Sequence, residues 1–108
     1  MSRMPLVLIV AGLLILPGIV RAETGRRVGQ KNKTFSVPLL LIKPGEQVTF
    51  DNDDQITHNV YNAQKGGAFN LKAQAPGESS TVTFVNEGTF EVRCAFHPKM
   101  KMFVIVKR

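Results

Sequence analysis

The sequence predicts an all-β sandwich of antiparallel strands, and three observations lead there. Apolar and polar residues alternate with a period of two through Val48-Thr49-Phe50-Asp51, Thr81-Val82-Thr83-Phe84 and Met102 to Lys107, the spacing of strands buried on one face. Turn chemistry recurs between these runs: Pro44-Gly45-Glu46 and Pro76-Gly77-Glu78 suit type II turns in which glycine supplies the positive φ. From Thr34 to Arg108 no window carries a helical apolar stripe longer than two turns. About six to eight short strands at this spacing fit a two-sheet sandwich.

The residues before that domain read differently. Arg3 is followed by an uncharged run, Leu6 to Val20, and then by Val20-Arg21-Ala22, with small residues at −3 and −1 of a cleavage point. The run falls short of the ~20 residues of a spanning helix and is interrupted by Pro17-Gly18. Residues 1–22 are therefore expected to be a signal peptide, which makes the mature chain a periplasmic protein with no membrane segment after cleavage. Residues 23–33 hold Arg26, Arg27, Lys31 and Lys33 among Gly and Asn, and are expected to be a basic flexible tail. Residues 34–108 make the one globular domain.

The charge and the cysteine count exclude several functions. The chain carries 14 Lys and Arg against 8 Asp and Glu, for a formal charge of +6. Arg3 and Arg21 leave with the leader and four more cations lie in 23–33, so the domain itself is close to neutral. No basic stripe suited to nucleic acid is present, and no nucleic-acid partner is expected. One cysteine permits neither an intramolecular disulfide nor a zinc site built on several thiolates.

Chemistry concentrates in Phe90-Glu91-Val92-Arg93-Cys94-Ala95-Phe96-His97-Pro98-Lys99-Met100-Lys101-Met102. A strand ends at Cys94, a short loop holds His97 and Met100, and the chain resumes as a strand at Met102. The only other histidine is His58, in Thr57-His58-Asn59-Val60. One thiolate, two imidazoles and one thioether make a complete trigonal copper site with a weak axial ligand, a set that suits both Cu(I) and Cu(II). Taken singly, the cysteine reads as a buried small hydrophobe and each histidine as a surface or capping residue. Together they point to a metal, because an exported free thiol is oxidised unless buried or ligated. Zinc held by two His, one Cys and solvent is a rival use of the same residues, and the thioether favours copper.

On these residues the chain resembles the cupredoxins, the blue copper proteins, and is most similar to their amicyanin and plastocyanin-like members. The likeness runs over residues 35–108 and rests on Val37-Pro38, Lys43-Pro44-Gly45-Glu46-Gln47-Val48-Thr49-Phe50, Asp51-Asn52-Asp53, His58-Asn59-Val60 and Cys94-Ala95-Phe96-His97-Pro98-Lys99-Met100. The resemblance implies a Greek-key sandwich, one copper ion per chain held by His58, Cys94, His97 and Met100, and one-electron transfer without catalysis. Asn59 takes the position whose amide and side chain tie the ligand loops together. Met102 would instead give the longer ligand loop of plastocyanin, but it is in register with the alternating strand and reads as packing.

The chain is expected to be a monomer that meets redox partner proteins transiently. Phe96, Pro98, Ala68 and Phe69 are expected to rim His97, with Arg93, Lys99 and Lys101 favouring an acidic docking face on the partner. The family has Pro where this chain has Phe96, and the amide that Phe96 retains is expected to donate a second hydrogen bond to the Cys94 sulfur. The alternative functions are a copper carrier or tolerance protein in which the metal is cargo, and an enzyme with an open copper position.

Overall fold

The computed structural model describes residues 25–108, and the expected signal peptide lies outside them. Nine strands make the domain: β1 (Arg26–Lys31), β2 (Thr34–Phe35), β3 (Leu39–Ile42), β4 (Glu46–Asn52), β5 (His58–Asn62), β6 (Phe69–Gln74), β7 (Ser79–Phe84), β8 (Gly88–Cys94) and β9 (His97–Val106). A four-stranded sheet in the order β2-β1-β4-β7 packs on a five-stranded sheet in the order β3-β9-β8-β5-β6. The expected all-β sandwich is present, and the described residues contain no helix.

Alternation sets the faces as the sequence implies. Val48 and Phe50 of β4 and Met102, Val104 and Val106 of β9 are buried between the sheets, while Lys101 and Phe103 face out. Both Pro-Gly turns form as expected. Gly45 and Gly77 have φ of 93° and 87°, and Glu46 N donates to Lys43 O and Glu78 N to Ala75 O. Each Glu then folds its carboxylate back onto the amide three residues earlier, Lys43 N in one turn and Ala75 N in the other, both at 2.7 Å.

Two expectations are corrected. The pairings are mixed: β1 runs parallel to β4 and β3 parallel to β9. A strictly antiparallel sandwich therefore does not form. Residues 26–31 of the supposed flexible tail are strand β1, seated between β2 and β4 with Val28 and Gln30 fully buried. A polar residue at the second inward position hid the alternation. Gln30 is accommodated because its Nε2 donates to Gln74 Oε1 at 2.6 Å, a bond that joins the two sheets through the core.

The arrangement brings one end of β5, β8 and β9 together. His58 opens β5, Cys94 closes β8 and His97 opens β9, so all three lie at the same end of the strands of the five-stranded sheet.

Candidate metal centre

Cys94 and His97 are Cα partners across a two-residue turn, Ala95-Phe96. The next rung pairs Arg93 with Lys101, so one step along β8 is matched by four along β9. Pro98, Lys99 and Met100 therefore bulge out of the ladder. The strand begins at His97, earlier than the loop-then-strand reading, and Met100 lies in its bulge, 2% exposed. Met102 is opposite Val92, deeper in the core.

Three of the four anticipated ligands converge. The donor atoms of His58, Cys94 and His97 lie within 4.8 Å of one another. Cys94 Sγ is 3.8 Å from His58 Nδ1 and 3.6 Å from His97 Nδ1, and the two rings meet edge to face with centroids 5.0 Å apart. Metal–sulfur bonds of ~2.3 Å and metal–nitrogen bonds of ~2.0 Å would let one ion reach the thiol and either imidazole across these separations. His58 and Cys94 are 0% and 1% exposed, and His97 is half-buried at the rim. One soft sulfur and two imidazole nitrogens in this arrangement fit copper.

The surrounding hydrogen bonds fix the thiol and the first imidazole. Asn59 N donates to Cys94 Sγ at 3.4 Å, and its side-chain Oδ1 accepts from Ala95 N at 3.2 Å. Asn59 Nδ2 donates in turn to Asn70 Oδ1 and Lys72 O, so one side chain joins the start of β5 to the ligand turn and to β6. The Phe96 amide, expected to add a second bond to the sulfur, makes none among the described residues; its ring sits at the outer corner of the turn, 53% exposed.

Sequence reading missed Asp54. Its Oδ2 is 2.9 Å from His58 Nε2, which leaves Nδ1 as the nitrogen facing the sulfur. The bond from His58, helped by the Lys33 amide, holds the Asp54 carboxyl down at about 2. Burial, then the neighbouring His58 ring and Lys33, push His97 toward the neutral imidazole that a metal requires. The sequence offers Asp51-Asn52-Asp53-Asp54 as a loop signal, and only the spacing of four from Asp54 to His58 could have singled this acid out.

The expected rim is also revised. Phe96 and Pro98 are exposed beside His97, but Phe69 pairs with Asn62 at the far end of β5 from His58. Ala68 and Phe69 instead line a cleft with Val82, Phe84 and Phe90, where β6 and β7 are the edges of their sheets. Arg93 donates to Pro98 O at 2.8 Å and shares Glu91 with Lys101. It braces the bulge, and the one Glu91 carboxylate offsets one of the two positive charges beside it.

Known proteins agree with this construction. The chain is 31% identical over 77 residues to amicyanin-alpha of Methylorubrum extorquens, an alignment covering 68% of this chain and 64% of that protein, so less than two thirds of the curated relative's length is spanned. Amicyanin from Paracoccus versutus superposes with a TM-score of 0.69 at 30% identity, over 77% of this chain and 81% of that one. A purple cupredoxin from Nitrosopumilus maritimus does so with a TM-score of 0.69 at 26% identity, over 76% of this chain and 99% of its own. Residues 22–107 fit the pattern of the copper-binding proteins of the plastocyanin/azurin family. With the fold, the converging thiol and imidazoles and this agreement along nearly its whole length, the chain belongs to that family.

Proposed function

We propose that this chain carries single electrons between redox partner proteins in the periplasm, with copper held by His58, Cys94, His97 and Met100. The observation that carries the reading is the approach of Cys94 Sγ to both imidazole Nδ1 atoms. Bound copper supplies one-electron cycling, because sulfur suits Cu(I) while imidazole suits Cu(II) as well. The chain's own part is to hold the donors still: Asn59 N donates to the Cys94 sulfur, and Asp54 holds the His58 ring through Nε2, the nitrogen turned away from that sulfur. Met100 is favoured over Met102 as the thioether because it lies in the bulge beside the Cys94–His97 rung, whereas Met102 packs opposite Val92. Four protein donors leave no open position for a substrate, which favours a carrier over a catalyst.

Partner docking follows from the rim. The half-buried His97, with exposed Phe96 and Pro98 beside it, offers a small apolar contact of the kind that suits brief redox encounters. Glu91 offsets one of the two charges of Arg93 and Lys101, so that pair keeps a net positive charge that joins Lys99 and Lys33 in attracting an acidic partner.

The test loads residues 23–108 with Cu(II) and records visible and electron paramagnetic resonance spectra. An intense thiolate-to-copper band with narrow hyperfine splitting is expected, and Cys94→Ser should abolish it. Met100→Leu should change the spectrum while Met102→Leu changes stability alone. A pale tetragonal spectrum would overturn the reading. Electron exchange with an acidic redox protein should slow steeply with added salt. If the protein hands copper to a chelator faster than it passes electrons, the metal is cargo.

A further inference from the structure

We propose that Asp54 is a positioning residue that links the β1–β2 hairpin to the metal centre and lowers its reduction potential, an inference that rests on the copper reading above. The His58 ring is fully buried and its two nitrogens face opposite ways: Nδ1 toward Cys94 Sγ and Nε2 toward Asp54 Oδ2, 2.9 Å away. A carboxylate at Nε2 selects the tautomer with the proton there, freeing the Nδ1 lone pair and fixing the ring's rotation.

The carboxylate is itself held from the N-terminal hairpin. Oδ2 also accepts from Lys33 N at 3.1 Å, and Oδ1 accepts from Gln55 N at 3.1 Å. Asn52 Oδ1 accepts from Asp54 N at 2.9 Å. Lys33 lies with Asn32 in a two-residue turn between the paired residues Lys31 and Thr34, at φ of 57° and 55°. Non-glycine residues in that region cost about 1 kcal/mol or more each, yet the geometry aims the Lys33 amide at the carboxylate. A second tie lies beside it, since Asp53 N donates to Gln30 O of β1 at 3.0 Å. The hairpin thus clamps the loop that delivers His58.

The consequence is electrostatic as well as steric. A fixed negative charge behind the imidazole favours the more highly charged metal state, so the oxidised form is stabilised relative to the reduced one.

Two variants separate charge from tether. Asp54→Asn keeps an acceptor for the ring and the amide but removes the charge; Asp54→Ala removes both. In the copper-loaded protein, Asp54→Asn is expected to shift the oxidised-to-reduced ratio at fixed solution potential about tenfold toward reduced, or about 59 mV for one electron. In metal-free protein, the His58 Nε2 proton should give a slowly exchanging NMR signal that Asp54→Ala loses. The Lys33 amide should exchange about tenfold faster in Asp54→Ala than in the parent. Unchanged potential in folded Asp54→Asn, or an unaltered His58 proton or Lys33 exchange rate in folded Asp54→Ala, overturns the proposal. If Asp54→Ala does not fold, Asp54→Asn decides it through the potential. Failure of the copper reading shows separately, as a parent protein without the thiolate band, while both NMR readouts need no metal.

Discussion

Asp51 accepts from Arg27 Nε and Nη2 at 3.1 and 2.7 Å and from the Ser79 hydroxyl, across three strands of one sheet. The guanidinium beside it holds its carboxyl below the ordinary carboxylate range. A depressed folded value means that the unfolded chain binds the proton more readily, so the stabilisation is present above the ordinary value of about 3.9 and is lost as pH falls through the folded one. Asp51→Asn should therefore lower the urea midpoint at pH 7, and the gap from the parent should close as the titration goes below about pH 4. An equal gap at pH 7 and pH 2.5 would place the effect in packing rather than charge. The pair is largely exposed on the Arg27 side, so the shift in midpoint should be small.

Strand β1 shows where sequence reading stopped. Its inward residues are Val28 and Gln30, and one apolar position in a run of cations gives no visible period. Val28→Ala should nevertheless cost about 2 kcal/mol in equilibrium unfolding, as for a side chain removed from a packed core. A change under a few tenths of a kcal/mol would restore the tail reading. The strands rich in Val and Phe, the two Pro-Gly-Glu turns and the His58, Cys94 and His97 set were legible because their signals are local or their residue types scarce. Parallel pairing and the bulge at Pro98–Met100 were not, since each depends on how strands come to lie beside one another, and the Asp54–His58 contact, though only four residues apart, was hidden in a loop of several acids. Phe96 shows the limit of reasoning by likeness: an amide freed by the absence of proline need not point at the sulfur.

The domain as a whole does not depend on an ion to hold its sheets together. Cys94 and Met100 belong to the core, but the greater part of that core comes from Val, Ile and Phe side chains on both sheets. Removing copper with a chelator should leave the far-ultraviolet sheet signal intact and lower the unfolding midpoint. At metal one hundredfold above its dissociation constant the loss amounts to about 2.7 kcal/mol. A chain that unfolds outright on chelation would contradict this view.

The parallel pairing of β3 with β9 sets Leu39 beside Phe103 and Ile42 beside Val106. The third strand can find its neighbour only once β9 has been made, so this sheet closes through a contact between segments far apart in the chain. Topologies of this kind close in milliseconds to seconds. For that interval the lone thiol of the nascent molecule is open to oxidants, and its chemical integrity is decided by how soon the carboxy-terminal strand docks.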